Sequence, residues 1–258
     1  MRIRKAIARA LVHGLLSLYP SVAAQAQDPL PTPSPSPAPI SPPSKYGMLL
    51  FRGYEILDVF GPLEVLSWVA QHHDKIDLYM VAETLDPVTT APQTAAMNAF
   101  NASFFPTVNP THTFDDVPDL DVLIVPGGLG TRSPNMNATL DFITATYPNL
   151  QYLITVCTGS TLVAKTGILD GKNATTNKAS WSSVITNGPE VNWIPEARWV
   201  VDGNIWSSSG ISAGIDATLA FIAGFYGKEN ATTISEYMEY EWHEDKDWDP
   251  YAKIWGVV

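Results

Sequence analysis

Residues 152–156, Tyr-Leu-Ile-Thr-Val, form an apolar run that stops at Cys157, and Thr158-Gly159-Ser160 then opens a segment with helical character. A short apolar run, a tight turn and a helix predict a buried strand whose end lifts Cys157 above the sheet edge. The helix behind the turn aims unpaired amide N–H groups and its positive dipole end at the sulfur, which predicts a bias toward thiolate. Hydrolases seat their nucleophile on the same kind of elbow, where a small residue two positions on lets the helix approach the strand. Here that residue is Gly159. The competing expectation is a small buried hydrophobe, the usual fate of a lone free cysteine.

A second element favours the functional reading. Residues 120–125, Leu-Asp-Val-Leu-Ile-Val, read as a buried strand running into Pro126-Gly127-Gly128. Glycines at a strand's end leave backbone N–H groups exposed, and such donors suit a developing oxyanion.

The rest of the chain alternates strands with helices. Gly47–Phe51 and Ile76–Ala82 read as strands, and Asp58–Trp68 as a helix with Pro62 near its start. Glu83–Pro118 should hold short antiparallel strands, and Ser133 is placed to cap the helix containing Leu140, Phe142 and Ile143. Thr161–Thr166, Trp181–Ile185, Ser212–Phe225 and Asn230–Trp242 read as helices, and Asp202-Gly203 as the turn of a hairpin. Alternation of this kind predicts an α/β fold with a doubly wound, mainly parallel sheet covered on both faces.

Residues 1–27 carry Arg2, Arg4, Lys5 and Arg9 without an acid, then an apolar centre and small residues near Ala24, the layout of a secretory signal; a mitochondrial transit peptide is the alternative. Residues 28–44 form a Pro/Ser-rich linker, leaving 45–258 as one domain with a helical tail from about 228. Sequons at Asn101, Asn137, Asn173 and Asn230 agree with export and glycosylation. The net charge of −11 argues against nucleic acid as a partner, and no membrane association is expected once the signal is removed. The partner expected is a small-molecule substrate. Neither cofactor nor metal is expected, since His13, His72, His73, His112 and His243 are not spaced as metal ligands and read as solvated surface residues. Between Glu236 and Pro250, Tyr237, Tyr240, Trp242 and Trp248 read as aromatics packing a last helix onto the domain.

From about Tyr46 to Gly227 the chain resembles the ThiJ/PfpI superfamily, cysteine-elbow relatives of the class I glutamine amidotransferases with a flavodoxin-like fold. The resemblance rests on residues 57–65 (LDVFGPLEV), 121–128 (DVLIVPGG), 156–160 (VCTGS), 167–176 (GILDGKNATT) and 209–216 (SGISAGID), in that order. The first and third pieces look most like isonitrile hydratases and the sensor-like domains of some bacterial regulators. The resemblance implies Cys157 as nucleophile, Asp58 as an acid facing the sulfur, Thr158 as an assisting residue, Gly127 and Gly128 as oxyanion-type donors, and a homodimer. It leaves Glu64 structural. Asp58 could alternatively cap the first helix. One departure stands out: Asn177 occupies the position where many relatives carry histidine. The activity implied is addition of water to an isonitrile; a redox-sensing or non-catalytic protein and a hydrolase or deglycase of small carbonyl adducts are the alternatives.

Overall fold

The computed structural model describes residues 41–258; the expected leader and its His13, and the linker as far as residue 40, lie outside them. The described chain runs β1 (Lys45–Leu49), α1 (Ile56–His72), β2 (Asp77–Ala82), β3 (Val88–Thr89), β4 (Thr107–Val108), β5 (His112–Thr113), β6 (Val122–Val125) and α2 (Asn137–Thr146). It continues through β7 (Tyr152–Thr155), α3 (Gly159–Lys165), β8 (Asn173–Ala174), α4 (Trp181–Ile185), β9 (Asn192–Trp193), β10 (Trp199–Asp202), β11 (Ile205–Ser208), α5 (Ala213–Tyr226), α6 (Lys228–Tyr237) and α7 (Pro250–Ile254).

Seven strands form the main sheet in the order β10-β11-β7-β6-β1-β2-β5. All neighbours are parallel except the β10–β11 hairpin, whose turn places Gly203 at φ 60. The central strands β6 and β7 are buried along almost their whole length, as expected for strands covered on both faces. Helices α1, α5 and α6 pack together, and α2, α3 and α4 form a second group, giving the doubly wound architecture. From β1 the chain crosses to β2 on one side, whereas from β6 it crosses to β7 on the other, so a switch point lies between β1 and β6. Ligands of open parallel sheets bind beyond the strand C-termini at such a point.

Several local expectations are corrected. Helix α2 begins at Asn137 with Met136 before it, and Ser133 instead accepts the Asn135 N–H at 3.2 Å in the preceding turn. Pro62 lies inside α1 and not at its start. The region from Glu83 to Pro118 holds the expected short antiparallel strands as one pair, β3–β4, but β5 joins the main sheet parallel to β2. The last long helix stops at Tyr237, where Glu239 turns to φ 47, a left-handed conformation no helix continues through. Tyr240 and Trp242 still pack on the core, but from an irregular strap, and a short α7 follows it.

That strap is held by buried charge. Asp216 Oδ2 accepts from Arg198 Nε at 2.6 Å, and its Oδ1 accepts from Tyr240 Oη and the His243 N–H, both at 3.0 Å. His243, expected to be solvated, stacks on Trp248 with ring centroids 5.0 Å apart. Such a cluster is costly to break, because removing one partner leaves an uncompensated buried charge.

Candidate active site

Cys157 sits at φ 57, a conformation that costs a non-glycine residue about 1–3 kcal/mol unless its surroundings enforce it. They do. Its N–H donates to Ser209 O at 3.1 Å, and its carbonyl accepts from Thr176 Oγ1 at 3.0 Å and Ser160 Oγ at 3.2 Å. A Cβ on Gly159 would fall on the Val125 carbonyl oxygen, so helix α3 can start here only with glycine at this position. The elbow read from the sequence is therefore present, with its sulfur at the C-terminal end of β7.

Asp58 reaches the same place from α1. It is fully buried in the helix's first turn; Glu55 is the N-cap residue, so the capping role does not apply. The Gly127 N–H donates to Asp58 Oδ2 at 2.8 Å, while Oδ1 is buried without a hydrogen-bond partner. A Cβ on Gly127 would sit 2.6 Å from Thr158 Oγ1 and 2.9 Å from Asp58 Oδ2. Glycine is thus needed here for close approach of three segments. The segments after β1 and β6 are zipped by Glu55 N–H to Gly127 O and Gly130 N–H to Gly53 O, each 2.9 Å, which fixes the height of Asp58 over the sheet.

The glycine amides are not free donors, contrary to the sequence-based expectation. Gly127 serves the Asp58 carboxylate, and the Gly128 N–H donates to Thr158 Oγ1 at 2.9 Å. The Thr158 hydroxyl is turned into this loop, and it is the residue's backbone N–H that faces the sulfur. The other donors toward the sulfur are the backbone N–H of Ile211 and the side chain of Asn177. Asn177 is oriented by its oxygen, which accepts the Ser180 N–H at 3.0 Å and leaves the NH2 for the sulfur; Gly210 leaves room for that NH2. Ile211, itself at φ 31, has no side-chain chemistry to betray it in the sequence; the 209–216 motif was the available signal. Glu64 is exposed and apart from this cluster.

The electrostatics also depart from expectation. Burial, with the Asp58 charge second, pushes the Cys157 thiol up to about 12, outweighing the Ile211, Thr158 and Asn177 donors. Asp58 is raised to about 7, chiefly by burial and against the Gly127 N–H. The short α3 cannot overcome desolvation of a nearly enclosed sulfur. The resting site is a neutral thiol beside a carboxyl group poised to gain or lose a proton near neutrality, and the two groups titrate as a coupled pair.

Behind Asn177, Lys178 is buried and donates to Thr175 Oγ1 (2.8 Å), Ala197 O (2.9 Å), Thr176 O and Ser209 Oγ (both 3.1 Å), with Asp249 Oδ2 at 3.1 Å as its counter-ion. It thereby braces Thr176 and Ser209, two of the three residues that hold the Cys157 backbone. Nothing in the sequence marks this lysine, because an isolated Lys is ordinarily solvated. A polar cavity of about 530 Å³ adjoins Thr158 and is lined by Arg132, Lys165, Thr131, Thr161, Ser180 and Ser183. A second, of about 160 Å³, adjoins Asn177 and Ile211. Among the described residues no group of three or more His, Cys, Asp or Glu side chains is arranged to hold a metal ion.

Comparison with known proteins places these features in context. The family model described as DJ-1/PfpI matches residues 45–223. The chain is 36% identical over 197 residues to an isonitrile hydratase of Pseudomonas putida, covering 75% of this chain and 77% of that protein. It is 30% identical over 134 residues to the HTH-type transcriptional regulator GbdR of Pseudomonas aeruginosa, covering 52% of this chain and 36% of the regulator. Among solved structures, a THiJ/PfpI family protein from Pseudomonas syringae superposes with a TM-score of 0.64 at 28% identity, covering 83% of each chain.

Proposed function

The chain belongs to the DJ-1/PfpI family, and from that premise we propose that it is a cysteine-dependent hydratase that converts an isonitrile, R–N≡C, to the N-substituted formamide. The observation that carries the reading is the buried Cys157–Asp58 pair, a thiol and a carboxyl group of raised pKa with no imidazole among the groups that act on the sulfur. Similarity to an isonitrile hydratase over most of both chains supports it.

The chemistry needs one nucleophile and one mobile proton. Asp58, as carboxylate, takes the thiol proton as substrate enters and returns it to the terminal carbon as sulfur bonds to that same carbon, giving a thioimidate, R–N=CH–S–Cys157. Water then adds to the C=N bond; nitrogen gains a proton, the C–S bond breaks and the thiol is regenerated as R–NH–CHO leaves. The balance is isonitrile plus water, and neither oxidant nor cofactor enters. The Thr158 and Ile211 N–H groups and the Asn177 amide stabilise sulfur while it carries charge. An isonitrile is uncharged and linear at its reacting end, which suits a buried sulfur.

The redox-sensing alternative asks for a low-pKa, accessible thiolate, and this thiol is buried and raised. The deciding measurement is turnover of an aryl isonitrile to its formamide by the purified protein, with Cys157→Ser as the control. A serine hydroxyl has no base strong enough to ionise it here, so product from the serine variant at the wild-type rate, or none from the wild type, would end the proposal.

A further inference from the structure

The smaller cavity, lined not by Cys157 itself but by Asn177 and Ile211, which face its sulfur, has a wall that comes from outside the family match. That wall is made by Tyr251 and Trp255, in or directly after α7, whereas the family model ends at residue 223. The cavity's other side is made by Asn177, Gly210 and Ile211, of which Asn177 and Ile211 face Cys157. The two aromatics are four residues apart, on one face of the turn, and the Trp255 N–H donates to Tyr251 O at 2.9 Å.

This wall is rigidly mounted. Asp249 accepts the Tyr251 N–H at 3.0 Å through Oδ1, and its Oδ2 lies 3.1 Å from Lys178 Nζ with both side chains at most 1% exposed. Lys178 directly follows Asn177. The ion pair therefore ties α7 to the segment that reaches the sulfur, while Tyr251 and Trp255 remain 47% and 58% exposed. Two large aromatic side chains border a cavity of about 160 Å³ whose remaining lining is largely polar, a volume on the scale of a benzene ring, for which about 150 Å³ is enough.

We infer that Tyr251 and Trp255 are specificity-determining residues that bind a planar aromatic side chain on the electrophile presented to Cys157. The chemistry at the sulfur rests on the isonitrile reading, but the wall does not, and two measurements separate them. In the first, kcat/KM is compared for phenyl and methyl isonitrile; Trp255→Ala and Tyr251→Ala should each lower the phenyl value about tenfold, leave methyl within twofold, and Trp255→Phe should recover most of the loss. Equal losses on both substrates, or none on either, would overturn the wall. In the second, modification of Cys157 by N-phenylmaleimide is compared with N-methylmaleimide, which needs no turnover: the wild type should favour the phenyl reagent and Trp255→Ala should abolish the preference. A phenyl preference lost in the variant, in a protein inert to isonitriles, would keep the wall and discard the hydratase. Isonitrile turnover without any phenyl preference in the wild type would do the reverse.

Discussion

The Gly127 amide donates to Asp58 Oδ2 at 2.8 Å, joining residues 69 apart in the chain and leaving Oδ1 unpartnered in the buried site. The bond fixes where the carboxyl group sits and favours its ionised form; burial opposes ionisation and prevails, so the group is poised near 7. One oxygen is anchored and the other is available to carry a proton.

Asp58→Asn keeps an oxygen for Gly127 but carries no transferable proton. Turnover should fall by roughly 10²–10⁴-fold. The stability effect has a definite sign. A carboxyl group whose folded pKa is raised contributes stability in full below the unfolded value near 4, and that stability is lost as pH climbs through about 7. Melting curves of variant and wild type should therefore converge at low pH and separate in the variant's favour from about pH 4 to 7. Unchanged turnover would leave Asp58 without a catalytic part.

Because the reactive state holds one proton between Cys157 and Asp58, kcat/KM should rise as pH passes about 7 and stay high well into the alkaline range. Alkylation by iodoacetamide should be slower at pH 8 than for a free thiol of pKa about 8.5. An alkylation midpoint at or below that free-thiol value would show the sulfur to be less enclosed than its geometry implies.

Asn177 separates two roles that one substitution can part. Asn177→Asp retains the oxygen that accepts the Ser180 N–H, so melting should change little, yet it removes an N–H donor and adds a charge near the sulfur. Activity should fall about 10²–10³-fold, the cost of losing one such donor. Asn177→Ala should lose a comparable amount of activity and, with the cap gone, about 1 kcal/mol of stability. A fully active Asn177→Asp would mean that the amide does not serve the sulfur.

Arg198→Met strands the buried Asp216 carboxylate and should cost about 3–5 kcal/mol. The strap from Glu239 to Asp249 should then become a protease target under native conditions. An unaltered melting temperature and digestion pattern would show that the strap is held by its aromatics alone.

Asn101 is the sequon asparagine on an exposed irregular loop, whereas the amide of Asn230 is engaged with Tyr226 O at 2.6 Å. Export from a eukaryotic host should add an N-glycosidase-sensitive mass that Asn101→Gln reduces. Full-length, unmodified protein retained in the cytosol would count against export.

What was local in the chain was legible in its sequence. The elbow at Cys157, the Asp202-Gly203 hairpin, helix α4 and the parallel core strands each follow from apolar periodicity, turn chemistry and a few glycines, which act over a handful of neighbouring residues. Asp58 and Asn177 could be singled out only through their place in motifs, and their roles depended on partners distant in the chain. Tertiary structure alone decided that the glycine N–H groups are occupied by Asp58 and Thr158, that Ile211 replaces them as a donor to the sulfur, and that a Lys178–Asp249 pair bolts α7 beside the site. It also decided the protonation of the thiol. A helix terminus and a turn predict thiolate when the sulfur is imagined in water, but desolvation is a property of everything packed around it, and no stretch of sequence contains that environment.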